Sequence, residues 1–397
     1  MATPVYVAIS AANRTGDLVV GGEGATYAAT FATFTAAFED ATYGARDLVA
    51  LDEQAIYEMF LDVSPLNDAV SFSADWVTTA SQGIIVRAEA NSKHNGTRFT
   101  GAHLESTSPT AIALSSNVEV EDLRISSTYE YGNSTVHGAA NSKLRRCFIT
   151  SLDRGFYTTT GPSDIISCVI YGCRSYGVFF SNGVSSIINS VIVGNGNGLK
   201  SQYGITTVIN CVAIDNTTYD FSVDNIGSGS ANNASSDASA TAVSPAGGGK
   251  DNIIPANAFA DYLGEDYHLA AGSTLHQAGY DLSAQGLTDI DGAPFQVPFP
   301  IGCDEPSAFT VPVELSNVPL GTEIRIFDNA SGAELVGVES SAASPVILDM
   351  PYPGVPVNVR IVLLNMAYRY QVLTTEIGPN GLSFPVTFFR DRVYKNP

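Results

Sequence analysis

Between Asn117 and Asn225, short β-branched runs alternate with polar turns, and the pattern repeats on itself. The runs are Asn117-Val-Glu-Val-Glu-Asp-Leu-Arg-Ile, Ser142-Lys-Leu-Arg-Arg-Cys-Phe-Ile, Asp164-Ile-Ile-Ser-Cys-Val-Ile, Ser186-Ile-Ile-Asn-Ser-Val-Ile and Thr207-Val-Ile-Asn-Cys-Val-Ala. Aligned, they put Cys147, Cys168, Ser190 and Cys211 in one column and Ile149, Ile170, Ile192 and Ala213 in another. A third column, Gly155, Gly177, Gly198 and Asp220, is followed each time by an apolar residue: Phe156, Val178, Leu199 and Phe221. The period is 21 or 22 residues. A unit this short holds no helix pair and has no leucine-rich consensus. It fits one coil of a parallel β-helix, three short strands and three turns. Such a coil cannot bury its apolar side alone, so coils stack, with equivalent residues about 4.8 Å apart. With Ala111-Ile-Ala-Leu and Val136-His-Gly counted as earlier members, the pattern predicts roughly seven coils, a rod of about 35 Å. Asn189 and Asn210 precede the Cys column by one position. Both columns read as a structural ladder, the amides satisfying turn backbone groups.

The flanks carry other patterns. Residues 1–46 read as an N-terminal cap: two β-like runs, a Gly21-Gly-Glu-Gly turn, and Phe31, Phe34 and Phe38 on one face of an amphipathic helix that plugs the open end. No Gly-Lys-Ser/Thr follows the glycines, so a phosphate loop is set aside. Residues 47–305 read as the β-helix. Its first strands include Asp47-Leu-Val-Ala-Leu, Ala55-Ile-Tyr-Glu-Met and Gly83-Ile-Ile-Val-Arg. Residues 226–258, rich in Gly, Ser, Asn and Ala, read as a long surface loop, and 259–305 as a closing segment. Residues 306–397 hold seven or so alternating or apolar runs separated by turns such as Asn329-Ala-Ser-Gly and Pro379-Asn-Gly, the pattern of an antiparallel β-sandwich. The fold class is all-β.

Charge narrows the partners. Asp and Glu number 40 against 19 Lys and Arg, a net charge of -21. Such a surface repels phosphate backbones and anionic membranes, so nucleic acid and membrane insertion are both set aside. No apolar run approaches a transmembrane span, and the N-terminus has no basic region or apolar stretch of a secretory signal. Five cysteines, an odd number, do not read as a disulfide framework: the three in the repeat column read as small reduced residues stacked along the solenoid, Cys173 and Cys303 belong to no motif, and the chain reads as made in a reducing cytoplasm.

Three segments carry a family likeness. Trp76-Val-Thr-Thr with Gly83-Ile-Ile-Val-Arg and Lys93-His-Asn-Gly resembles the first rungs of phage-encoded β-helix proteins. Asp266-Tyr-His-Leu, Gly272-Ser, Ala278-Gly, Asp289-Ile-Asp-Gly and Ile301-Gly-Cys-Asp resemble the closing blocks of many bacterial and phage β-helix proteins, with Tyr267 and Cys303 as departures. Glu323-Ile-Arg-Ile-Phe-Asp with Val357-Asn-Val-Arg-Ile resembles small C-terminal β-domains of phage virion proteins. The chain thus resembles the right-handed parallel β-helix superfamily, which includes pectate lyases and phage tailspikes. The resemblance implies a bacteriophage virion protein: a structural and adhesive spike, fibre or decoration protein. Its partners would be other virion proteins, two further copies in a homotrimer, and host surface polysaccharide. The alternative is a polysaccharide depolymerase or lyase on the same fold.

Candidate chemistry is sparse. Asp153 and Arg154 lie in the turn before Gly155, with Arg174 near the matching turn one coil on; this is the cluster to test for catalysis. Glu119, Glu121 and Asp122 with Arg145 and Arg146 read as a cross-rung ion-pair cluster. His94, beside Asn95-Gly96, reads as solvated or hydrogen-bonded. Asp289 and Asp291 form an Asp-x-Asp-Gly turn, a candidate calcium pair without the Glu of an EF-hand, and no cofactor is adopted. Tyr129, Tyr131, Phe156, Tyr157, Phe179, Phe180, Tyr203 and Tyr219 recur near the Gly column. Those that face outward would stack on sugars or on another protomer.

Overall fold

The computed structural model describes residues 2–19, 25–63, 65–72, 75–94, 100–130, 132, 134–270, 272–295 and 297–304, and seven strands between 309 and 385. The turns expected at 21–24, 95–96, 329–332 and 379–381, and Tyr131, lie outside the described residues. The chain divides into two compact units, residues 1–305 and 306–397.

The first unit is a parallel β-helix. A representative coil runs Ser142–Arg145, Phe148–Ser151 and Arg154–Thr158, and each strand joins a different sheet. Nine strands stack in the first sheet, eight in the second and seven in the third, so the solenoid is taller than the roughly seven coils expected. The extra height lies at the N-terminal end. Thr3–Ile9 and Tyr27–Phe31, expected in a cap, are parallel strands at the outer end of the first sheet. Phe31 therefore ends a strand. The helix Phe34–Glu39 is capped by the Thr33 hydroxyl, which accepts from the Ala36 N–H at 3.0 Å, and it places Phe34 and Ala37 in the solenoid core. Asp47-Leu-Val-Ala-Leu, expected as a strand, is a short helix, Leu48–Leu51. The Asp47 carboxylate caps it by accepting from the Ala50 N–H.

Inside, side chains stack by kind. Leu144, Ile165, Ile187 and Val208 rise from the first sheet. Ile125, Ile149, Ile170, Ile192 and Ala213 rise from the second, and Val136, Phe156, Val178, Leu199 and Phe221 from the third. All belong to one buried core. The glycine column is required by the stacking. A Cβ on Gly155 would lie 2.6 Å from the Gly177 carbonyl oxygen, and one on Gly177 would lie 2.8 Å from Ile192 and Asn195.

The corner between the first and second sheets explains the Cys column. Asp122, Arg146, Ser167, Asn189, Asn210 and Asn232 all take the left-handed backbone region there, with φ from 45° to 59°. Short polar side chains tolerate that region best. The next residue points inward and accepts a hydrogen bond from the coil before it. The Cys147 N–H donates to Cys168 Sγ at 3.4 Å, Cys168 N–H to Ser190 Oγ at 3.2 Å, and Cys211 N–H to Asn233 Oδ1 at 3.0 Å. All five cysteines are free and buried, and burial pushes the Cys211 thiol up to about 12.

Residues 226–258, expected as a surface loop, are irregular in backbone but partly buried. Ala234–Ser235 adds a strand to the second sheet, and Ala240 and Val243 enter the core. Small side chains permit this, while Asp220, Asp237 and Asp251 satisfy the turn N–H and hydroxyl groups. The closing segment packs back along the last coils. The helix Pro255–Ala258 leads into it, and it opens with the antiparallel pair Phe259–Asp261 and Asp266–Leu269. It then runs along the first corner, where Asn210 clamps Tyr280, Asn232 donates to the Ala278 carbonyl and Ser167 to the Thr288 carbonyl.

The second unit contains a three-stranded sheet, Val346–Tyr352, Phe309–Ser316 and Leu382–Pro385, and a four-stranded one, Glu334–Glu339, Glu323–Asp328, Val357–Leu364 and Gln371–Ile377. Pairing is antiparallel except between Phe309–Ser316 and Leu382–Pro385, which is parallel. Ile324, Ile326 and Ile361 are wholly buried.

Candidate functional site

The outward positions of the three sheets differ in chemistry, and this locates the site. On the first sheet one outward column reads Glu58, Arg87, Glu121, Arg145, then Ile166, Ile188 and Ile209. The isoleucines lie under Leu282, Leu287, Phe295 and Phe299 of the closing segment. On the second sheet Phe148, Val169, Val191 and Val212 are covered in the same way by Phe259, Tyr267, Leu269 and Ile301. The third sheet is different. Its outward column is Ala113, His137, Tyr157, Phe179, Lys200 and Ser222, one residue per coil.

This column is a half-open aromatic track. His137 stacks on Tyr157 with ring centroids 5.6 Å apart, and Tyr157 lies 5.4 Å from Phe179. Tyr176 stacks beside Phe179 at 5.2 Å. Gly177 and Val178 both face the core, so strict alternation is broken within the strand and Tyr176 and Phe179 share the outer side. Phe156 and Phe180 point inward. The Arg154 guanidinium lies 5.2 Å above the Tyr157 ring, and the Lys200 ammonium lies 5.9 Å from the Tyr219 ring. Burial lowers the pKa of His137, which favours the neutral ring. Aromatic faces in a row, one per coil, with cations beside them, can take the apolar faces of successive rings.

The expected catalytic cluster lies at the edge of this track. Asp153 is buried, and its carboxylate accepts from the Gly132 N–H at 2.6 Å. Arg154 covers Tyr157, and Arg174 donates to the Glu130 carbonyl at 2.5 Å. Asp153 and Arg174 each bond a backbone group, while Arg154 lies over the aromatic face. Of the two ladder asparagines, one bonds backbone groups through both amide atoms and one does not. Asn210 holds the closing segment, and Asn189 is wholly buried with neither amide atom hydrogen-bonded. The ladder of stacked amides stands at the next corner. There Asn195 Nδ2 donates to Asn216 Oδ1 at 2.9 Å and Asn195 Oδ1 accepts from the Cys173 N–H.

A second feature was missed by sequence reasoning. On the second sheet, where the closing segment's cover ends, a groove of about 430 Å³ is lined by His103, Glu105, Arg124, Ser126, Thr150 and Tyr171, among others. His103 Nε2 is 2.8 Å from Ser126 Oγ. Burial first, and the Arg124 charge second, lower the His103 pKa to about 4. Arg124 and His103 are neighbours across the strands, so a periodic reading carried up to these coils would have paired them.

The acidic and basic group on the first corner is an ion-pair network. Arg146 bonds Asp122 at 2.6 Å, Lys93 bonds Asp122 at 3.0 Å and Arg145 bonds Glu119 at 2.5 Å. Burial and the neighbouring Glu119 raise Glu121 to about 7. His94 is buried, with Nε2 2.6 Å from the Arg146 carbonyl oxygen. In the closing segment the expected calcium pair is divided. Asp289 accepts from the N–H groups of Asp291 and Ala293 in its own turn, while Asp291 meets His268 Nε2 at 3.2 Å. Asp289 is raised to about 6, chiefly by burial.

No protein-family model matches the chain, and no curated protein matches it. Among solved structures, the crystal structure of pectate lyase Pel9A is similar, with 12% sequence identity, 77% of this chain and 96% of that chain covered, and a TM-score of 0.35.

Proposed function

We propose that this chain is an adhesive β-helix that binds a saccharide chain along the open face of its third sheet. The observation that carries the reading is the track His137, Tyr157 and Phe179, with Tyr176 alongside. Rings one coil apart suit an extended glycan, whose pyranose faces stack on aromatic side chains. The wider reading is a bacteriophage spike, fibre or decoration protein. It would act as a homotrimer with other virion proteins, with the short helix Phe34–Glu39 as a cap and the C-terminal sheets as a sandwich. Its support is the likeness of three segments to phage β-helix proteins and the five reduced, buried cysteines. The test is binding to a panel of bacterial capsular and O-antigen polysaccharides. Wild type retains at least one, and Tyr157→Ala with Phe179→Ala loses it; retention by the variant sinks the proposal.

A second reading, a polysaccharide lyase, is favoured by the groove on the second sheet. A neutral histidine beside an arginine can take the proton next to a uronate carboxylate that the guanidinium binds; the freed electron pair forms the carbon–carbon double bond and expels the glycosidic oxygen, which takes a proton from the imidazolium or from water. Release of unsaturated sugars, lost in His103→Ala, supports this reading. Loss in Asp153→Ala with His103→Ala active would return the chemistry to the corner of Asp153, Arg154 and Arg174.

A further inference from the structure

Away from both faces, three parts of the closing segment bring ligating groups to one place: the strand Asp266–Leu269, the turn after Asp289, and the stretch ending at Asp304. One ligand atom each of His268, Asp291 and Asp304 lies within 4.8 Å of the others. His268 Nε2 is 3.2 Å from Asp291 Oδ2. Two ligands about 2.1 Å from a zinc-sized ion, at roughly tetrahedral angles, stand about 3.4 Å apart. The other ring nitrogen, His268 Nδ1, is hydrogen-bonded to the Asp266 carboxylate. An outer carboxylate of this kind fixes a metal-bound histidine's tautomer and direction. Asp289 adds support by holding the Asp291 N–H, which sets the angle of Asp291. Asp304 is 2% exposed, whereas the Asp291 side chain is 38% exposed and leaves a way in from solvent.

We propose that His268, Asp291 and Asp304 bind one first-row divalent ion of the zinc or manganese type, with Asp266 as the positioning partner of His268. An imidazole ligand disfavours calcium and magnesium, which take oxygen. The ion ties three separate stretches of the closing segment together, so it stabilises the cover over the last coils.

The test uses the full chain, stripped with a chelator and dialysed against Zn²⁺ and Mn²⁺, with Ca²⁺ and Mg²⁺ in parallel. Bound metal is counted and thermal unfolding followed. The expected result is one equivalent of Zn²⁺ or Mn²⁺ and a raised unfolding temperature. Both are lost in Asp291→Asn, whose exposed position leaves the fold intact by circular dichroism. Asp266→Asn should weaken binding about 10- to 100-fold. Substoichiometric metal, unchanged binding in Asp291→Asn, or preference for Ca²⁺ or Mg²⁺ overturns the assignment.

Discussion

The covered and open faces of this solenoid are built from the same coil. Ile188 and Phe179 both point outward from strands of the same β-helix, in adjacent coils. Ile188 lies beneath Leu282, Leu287 and the Phe295–Phe299 pair, whereas Phe179 faces away from the core beside Tyr157 and Tyr176. On two sheets the outward column turns apolar where the closing segment lies over it, and stays charged where it does not. On the third sheet it turns aromatic without that cover. Apolar outward residues under a cover are explained by packing; half-open aromatic ones in a row need another reason. That difference singles out the third sheet.

The strongest test of the contrast is a charge placed at each position. Ile188→Asp buries an unpaired carboxylate under the closing segment and should cost roughly 4 kcal/mol or more in urea unfolding. Phe179→Asp should cost under about 1 kcal/mol, because its side chain reaches water. Equal losses would show that the aromatic track is structural. Next in size, Gly177→Ala should cost about 1–3 kcal/mol, since its Cβ would press on Asn195 and Ile192 within the stack. A neutral result by the same measurement would mean that the coils are looser than their contacts imply.

The smallest effect is in pH dependence. Glu121 titrates near 7 in the folded chain against an ordinary 4.5, because of burial and Glu119. The folded state therefore holds an extra proton between those values. The stability it contributes is fully present below 4.5 and lost as pH rises through 7. Glu121→Gln should flatten that part of the stability profile. An unchanged slope would place the charge of this column elsewhere.

The solenoid was legible where its chemistry repeats strictly. Cys147, Cys168, Ser190 and Cys211 mark one corner, and Gly155, Gly177 and Gly198 mark the turn-side end of the third-sheet strands. The earlier coils escaped because their spacing is irregular: Glu58, Arg87 and Glu121 form one column, yet no fixed period connects them. Thr3–Ile9 and Tyr27–Phe31 escaped for a related reason, since a strand's sequence does not show which neighbour it pairs with. The aromatics were noticed, but not their faces. Two consecutive inward residues, Gly155-Phe156 and Gly177-Val178, break simple alternation, and only the folded strands place Tyr176 and Phe179 together. His103 with Arg124, and His268 with Asp304, meet through stacking and packing rather than through a local motif.

The most direct measurement is a polysaccharide-array comparison of the purified chain with its Tyr157→Ala, Phe179→Ala double variant, after both are shown to unfold at the same denaturant concentration. The expected result is a wild-type signal on one or a few bacterial polysaccharides that falls at least about tenfold in the variant, the equivalent of about 1.4 kcal/mol. A signal that survives both substitutions would contradict the assignment of the third sheet as the saccharide-binding face.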